Sequence, residues 1–371
     1  MKIAINATNI SNGGGLNHLL RFFENIENQI EKTDTIIIWA KKSVLEKVCD
    51  KPFIKKKSNW YINSNSLFRS IWVIFCLKRH LKKNKCEVLY NPGGNDLSGF
   101  KPLITMSRNM LPFELKLIIM ELDIFLFFKM LLARIITELN FKYAAGIIFI
   151  SKHALSRNKS YNDKSIVIHH GVDRTFFKRK INNEYFFSKK RPLRIIYPSS
   201  FFGYKNHLLI LDSLEKLKET TYIEIIFVGD LKTAKKRLLK KIMTFKKSNI
   251  KIKLYDQLNH IDLNKLYEYV DIGLFASKCE NLPNILLEMM SKGLPIISSD
   301  YGSNIEILGS SGFYFNKNDY EDLSNKLEII YKSEKIRNQM SENNYVISQN
   351  YNWNETTKKT INFIKATIKS V

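Results

Sequence analysis

Short β-branched runs alternate with longer helical patterns along almost the whole chain, and no other feature restricts its fold so much. KIAIN (2–6), TIIIWA (35–40), CEVLYN (86–91), PLITMS (102–107), GIIFIS (146–151) and SIVIHHGV (165–172) read as a first series of strands. LRIIYPS (193–199), YIEIIFVGD (222–230), KIKLYDQ (251–257), LYEYVDIGLFAS (266–277) and LPIISSD (294–300) form a second. Strands that alternate with helices build parallel sheets covered by helices on both faces. Two series imply an α/β chain of two doubly wound domains, residues 1–175 and 193–352. A basic, polar stretch at 176–192 joins them, and a last helical segment follows at 353–371. Open parallel sheets bind ligands beyond the carboxyl ends of their strands. The expected site is therefore a cleft lined by loops that follow strands.

At 371 residues and 44% hydrophobic content, the chain is long enough for two cores. Its formal net charge is +24. Residues 1–180 hold 30 Lys and Arg against 14 Asp and Glu, a net of +16; the remainder holds 29 against 21, a net of +8. The first half is thus the better match for an anionic surface. Cys49, Cys76, Cys86 and Cys279 lack metal-site spacing and fit reduced thiols in the cytosol. The opening MKIAINAT has no signal-peptide core. The longest apolar run, 122–139, is broken by Asp123, Lys129, Arg134 and Glu138, so a soluble or peripheral protein is expected. Two stretches, 67–85 and 111–136, join apolar residues to basic ones. Each is either a core helix or a helix lying in an anionic interface.

Several post-strand loops carry candidate chemistry. SNGGGLNH (11–18) opens into a helix whose amides favour an anion, but it is not G-x-G-x-x-G. YPSSFFGYKNH (197–207) places Lys205 where a phosphate would lie. Arg108 and Asn109 in SRNM, and His153 in SKHA, follow strands and point toward the same side. CENLPNILLEMMSKGLP (279–295) is the most informative. Pro283 suits a first helical turn, and Gly293 and Pro295 suit an end, so a helix is expected from about Pro283 to Lys292. Amides near Leu282, Pro283 and Asn284 form its anion-facing start. Glu288 lies about five residues inside, roughly 7 Å along the axis, near the span from a diphosphate to its ribose. Glu280 precedes the helix, beside the anion site. Glu288 sits between Leu286, Leu287, Met289 and Met290, and an acid so surrounded needs a specific partner.

Taken together, these motifs resemble glycosyltransferase family 4. The resemblance is carried by CENLPNILLEMMSKGLPIISSDYGSNIEIL with its acids at 280 and 288, YKNH, IHHGVD, FVGD and the NGGG loop. It implies a GT-B fold of two Rossmann-like domains facing each other across a cleft, the first holding the acceptor and the second the donor. It also implies a last helix crossing back to the first domain. The implied activity is retaining transfer of a sugar from a UDP- or GDP-linked nucleotide-sugar to a saccharide, with no metal and no cofactor. By position, Glu280 would meet the donor sugar and Glu288 the ribose, Lys205 would neutralise the diphosphate, and Gly14 and Gly15 would approach from the first domain. Ser199, Ser200 and Phe201 stand where many members carry an arginine. Basic, apolar segments in the first domain suit a polyprenyl-linked acceptor and an anionic membrane. The expected placement is the inner face of the cytoplasmic membrane, in O-antigen, capsule or lipopolysaccharide synthesis. The alternatives are a sugar-nucleotide epimerase and a basic nucleic-acid-binding protein. The latter lacks zinc-finger spacing, RNP-like aromatics and an arginine stripe, so no nucleic-acid partner is expected.

Overall fold

The structure, a computed structural model, describes residues 1–31, 33–120, 124–177 and 186–369. Residues 178–185 of the expected linker, and 121–123 of the apolar stretch 111–136, lie outside the described residues. The chain divides into two compact units. The first is Met1–Gly171 with Asn352–Val371, and the second is Val172–Tyr351.

The first unit is built on a seven-stranded sheet of β1 (Lys2–Asn6), β2 (Thr35–Trp39), β3 (Ile54–Lys57), β4 (Val88–Asn91), β5 (Leu103–Ser107), β6 (Gly146–Phe149) and β7 (Ser165–Val167). Their order is β3-β2-β1-β4-β5-β6-β7, and every pairing is parallel. Ile3–Asn6, Ile36–Trp39 and Val88–Asn91 are buried residue after residue, so the central strands are covered on both faces. β3 reads IKKK and alternates half-buried with exposed residues. Lysines on such an edge discourage pairing with another chain.

Right-handed crossovers decide which face each helix covers. The β1-to-β2 connection contains the helix Gly13–Glu24 and runs toward β3. The β3-to-β4 and β5-to-β6 connections run the opposite way. They contain the helical stretch Ser66–Lys83, which includes a π turn at Val73–Leu77, and the helix Ile124–Tyr143. Both therefore lie on the face opposite Gly13–Glu24. Trp72, Val73, Leu77 and Leu81 pin the first of them to Trp39, Leu89 and Phe100 in the core. Each such buried side chain contributes about 1.5–3 kcal/mol of burial.

The C-terminal helix Trp353–Lys369 packs in the first unit. The Thr356 hydroxyl donates to the His169 carbonyl at 2.8 Å, and Trp353 stacks on His170 with ring centres 5.4 Å apart. A Cβ at Gly146 would come within 2.8 Å of the Phe363 ring, so the absence of a side chain on β6 lets this helix approach the sheet.

The second unit holds β8 (Leu193–Pro198), β9 (Ile223–Val228), β10 (Ile250–Tyr255), β11 (Ile272–Phe275), β12 (Ile296–Ser299) and β13 (Phe313–Phe315). Their order is β10-β9-β8-β11-β12-β13, again parallel throughout. Of the stretch 266–277, only the second half is strand; its start finishes the helix His260–Tyr269. Two all-parallel Rossmann-like sheets in one chain make this a GT-B fold.

Candidate active site

In each sheet the strand order reverses once, between β1 and β4 in the first unit and between β8 and β11 in the second. Crevices at such reversals are where open α/β sheets bind ligands.

In the second unit the β8 loop supplies Lys205 and the β11 loop supplies Glu280. The lysine ammonium donates to Glu280 Oε1, with each side chain only 14% exposed. Each end of the pair is anchored. The buried Tyr197 hydroxyl donates to the Lys205 carbonyl at 2.8 Å, and Asn206 takes a left-handed conformation, φ +67°, that turns the chain into the helix His207–Lys216. Asparagine tolerates that region better than most residues. The Lys278 amide donates to the Tyr204 carbonyl at 2.8 Å, tying the two loops together. The Ser303 hydroxyl donates to the Glu280 carbonyl at 3.2 Å.

His207 lies beneath this turn, ringed by Tyr197, Phe201 and Phe227. Burial, then the charge of Lys205, pushes its imidazole down to about 3. It is therefore neutral at physiological pH and adds no positive charge. The β8 loop itself is clamped from below: a Cβ at Gly229 would stand 2.0 Å from the Ser199 carbonyl oxygen.

The helix after Glu280 runs Asn284–Ser291, with buried Pro283 as its N-cap and Lys292 as its C-cap, one residue inside the expected bounds at each end. Its end is a Schellman motif. Gly293 takes φ +67°, its amide donates to Met290 O at 2.8 Å, and the Leu294 amide donates to Met289 O at 3.1 Å. Leu282 is buried and Asn284 half-buried. Glu288 is buried, and the Tyr267 hydroxyl donates to its Oε2 at 3.2 Å. Burial pushes this carboxyl up to about 8, opposed by the Tyr267 hydrogen bond and reinforced by the charge of Asp173. The partner that an acid in an apolar helix requires is thus Tyr267. No spacing pointed to it, because only packing brings the helix His260–Tyr269 against Glu288.

The first unit's candidates fall into a second group. The helix begins at Gly13, so Gly14 and Gly15 form its first turn rather than a loop before it. A Cβ at Gly15 would stand 3.0 Å from Arg108 Nη1, so the guanidinium lies directly against the glycine turn. Arg108 donates to Pro92 O at 3.4 Å. Burial lowers it to about 10, partly countered by Tyr90, so it stays charged at neutral pH. Asn109 is exposed, and its Oδ1 accepts from the Leu111 amide at 3.0 Å, which starts a short 3-10 turn. His153 is half-buried on the short helix Lys152–Ser156. Sequence reasoning passed over His18, fully buried one turn beyond Gly15, with its ring 4.8 Å from His170 and 5.7 Å from Trp353. Among the described residues, no group of three His, Cys, Asp or Glu is placed to hold a metal ion.

Fold and site together define an α/β protein of GT-B type whose second sheet offers a cation–carboxylate pair at its switch point. Residues 178–346 match the family model for glycosyl transferases group 1. The capsular polysaccharide biosynthesis glycosyltransferase CapH of Staphylococcus aureus is 31% identical over 198 residues, 52% of this chain and 50% of CapH. The chain spans about half the length of the curated relatives it matches. Among solved structures, Anabaena HepE in complex with UDP-glucose superposes with a TM-score of 0.70 at 16% identity, covering 100% of both chains. Sucrose-phosphate synthase from Thermosynechococcus elongatus reaches a TM-score of 0.76 at 11% identity, also over 100% of both chains. At such identities these two likenesses speak for the fold.

Proposed function

We propose that the chain is a retaining glycosyltransferase. In this reading it moves a sugar from a UDP- or GDP-linked donor, bound by the second unit, onto a lipid-linked saccharide bound by the first. The observation that carries the reading is the Lys205–Glu280 pair at the β8–β11 reversal, beside the start of the Glu288 helix. The family match over that unit supports it, as do the names of relatives and neighbours: CapH for capsular polysaccharide biosynthesis, HepE for UDP and UDP-glucose.

In the reaction the anomeric carbon exchanges its bond to the diphosphate for one to the acceptor oxygen, and the acceptor's proton leaves with the diphosphate. Negative charge grows on the departing phosphate. A fixed ammonium and the amides at a helix start stabilise it without needing to reorganise. Lys205 fills that role here, with no metal required. Glu280 holds the ammonium in place and accepts from donor-sugar hydroxyls. Glu288, braced by Tyr267, faces the ribose.

A thermal-shift screen over UDP- and GDP-sugars tests the donor site. A cognate nucleotide-sugar raises the midpoint of the wild type, and Glu288→Ala and Lys205→Ala lose most of that rise. A wild type that no nucleotide stabilises, or variants that respond equally, sinks the reading. Turnover that survives EDTA checks the metal-independent route.

A further inference from the structure

Most of the large apolar side chains that stand exposed among the described residues fall in two segments of the first unit, the stretch 60–75 and the helix Ile124–Tyr143. Along that helix Ile124, Phe128, Leu132, Ile135 and Leu139 are all exposed, with Phe125 beside them at 83%. Their spacing of three and four residues puts them on one line down the helix. A soluble surface gains nothing from such a stripe.

The stretch 60–85 has a different composition on the same side of the sheet. Trp60, 65% exposed, meets Tyr61 and Phe68 with ring centres 5.1 and 5.5 Å away. The outward line of the following helix is apolar at first, through Leu67, Ile71 and Phe75, and then basic, through Lys78 and Lys82. Residues 51–86 contain ten Lys and Arg and no Asp or Glu. Because both connections cross the sheet in the same sense, the aromatic cluster, the basic end and the apolar stripe share one face of the first unit.

We propose that this face seats the protein on an anionic lipid bilayer. Lys78, Arg79, Lys82 and Lys83 meet the headgroups, Trp60 and Tyr61 sit at the interfacial depth, and the Phe125–Leu132 ridge enters the acyl boundary. Exposed apolar area, interfacial aromatics and uncompensated positive charge together are the composition of interfacial helices. No described helix is long and apolar enough to cross a membrane, so the contact is with one leaflet. The inference specifies the membrane side of the proposed function and does not depend on the transfer reaction.

The test uses the intact chain with vesicles of phosphatidylcholine alone or mixed with phosphatidylglycerol. Trp39, Trp72 and Trp353 are buried, so Trp60 is the tryptophan exposed to solvent and its emission reports docking. Anionic vesicles should shift that emission to the blue, brominated lipid should quench it, and Trp60→Phe should abolish both signals. Reversing Lys78, Arg79, Lys82 and Lys83 to Glu should weaken sedimentation with anionic vesicles by at least about tenfold. Phe125→Ser with Phe128→Ser should leave a low-salt association that releases as salt rises. Equal binding to neutral and anionic vesicles, or unchanged Trp60 emission on anionic ones, overturns the proposal. So does a stable dimer in sedimentation velocity that the Phe125→Ser, Phe128→Ser variant dissociates, since a second copy would then cover this face. Donor-induced thermal shifts are measured on the same variants. If vesicle binding fails while those shifts persist, the docking face is wrong and the donor-site reading stands.

Discussion

The same reversal of strand order occurs in both sheets, and the two crevices are furnished in opposite ways. At the β1–β4 reversal the chain's own polar groups close on each other. The Asn6 amide donates to the buried Asp96 carboxylate at 2.9 Å, and Asn9 reaches the Gly93 carbonyl at 3.2 Å. A Cβ at Gly93 would overlap Asn9 Oδ1 at 2.0 Å. Arg108, a cation on the loop after β5, lies against Gly15 and has no carboxylate partner among the described residues. At the β8–β11 reversal the polar groups are a charged pair, Lys205 with Glu280, each slightly open to solvent. A web of internal hydrogen bonds makes a rigid wall. A charged pair set on two anchored loops can trade its internal contact for a ligand's hydroxyls and phosphate.

Four measurements press on that contrast, beginning with the largest effect. Lys205→Ala should lower kcat for nucleotide-sugar turnover by about 10²–10³-fold, the scale of losing one preorganised stabiliser of a developing anion. Arg108→Ala should cost less than about tenfold on the same scale if the charge chemistry belongs to the second unit; a loss as deep as that of Lys205→Ala would show that both units supply it. Next, Gly229→Ala should cost about 3 kcal/mol in urea unfolding, because its Cβ meets backbone, the Ser199 carbonyl at 2.0 Å. Gly93→Ala meets only the end of the Asn9 side chain and should cost about 1 kcal/mol, the value of one neutral hydrogen bond. Equal costs would show that both loops are equally able to yield.

Glu288 gives a dependence on pH. Its folded pKa of about 8 lies above the ordinary 4.5, so between those values the unfolded chain has lost a proton that the folded chain keeps. Its effect is therefore to lower stability as pH rises from about 4.5 to 8, with a slope of at most about 1.4 kcal/mol per pH unit. Glu288→Gln should remove that slope, gaining on the wild type most at pH 8 and converging with it near pH 5. Parallel stability curves would show that Glu288 is ionised in the folded protein. The smallest effect is expected at Gly15→Ala. Helix propensity gained in the first turn is offset by displacing Arg108, and the net should stay within about 1 kcal/mol.

Eleven of the strands were legible, because β-branched runs between helical patterns have few other uses. β3 and β13 were not. The first reads IKKK and the second is three residues long, and edge strands need neither apolar faces nor length. The Glu288 helix could be bounded to a residue because its signals are local: a proline at one end and a glycine with φ +67° at the other. Lys205, Glu280 and Glu288 were legible as types in position, for the same reason.

What surrounds them was not. Tyr267 beside Glu288, His18 beside His170, and Arg108 against Gly15 join residues from separate elements, and each pairing exists only after helices settle on a sheet. The stretches 67–85 and 111–136 show the divide most directly. Alone, the sequence established that they were apolar and basic, since composition needs no fold. Whether their apolar faces turn inward or outward depends on where a crossover lays each helix. The structure buries Trp72, Leu77 and Leu81 in the core and leaves Phe75, Phe125 and Phe128 on the surface. Hydrophobicity is a property of a residue, but burial is a property of its neighbours, and those are assigned by the tertiary structure.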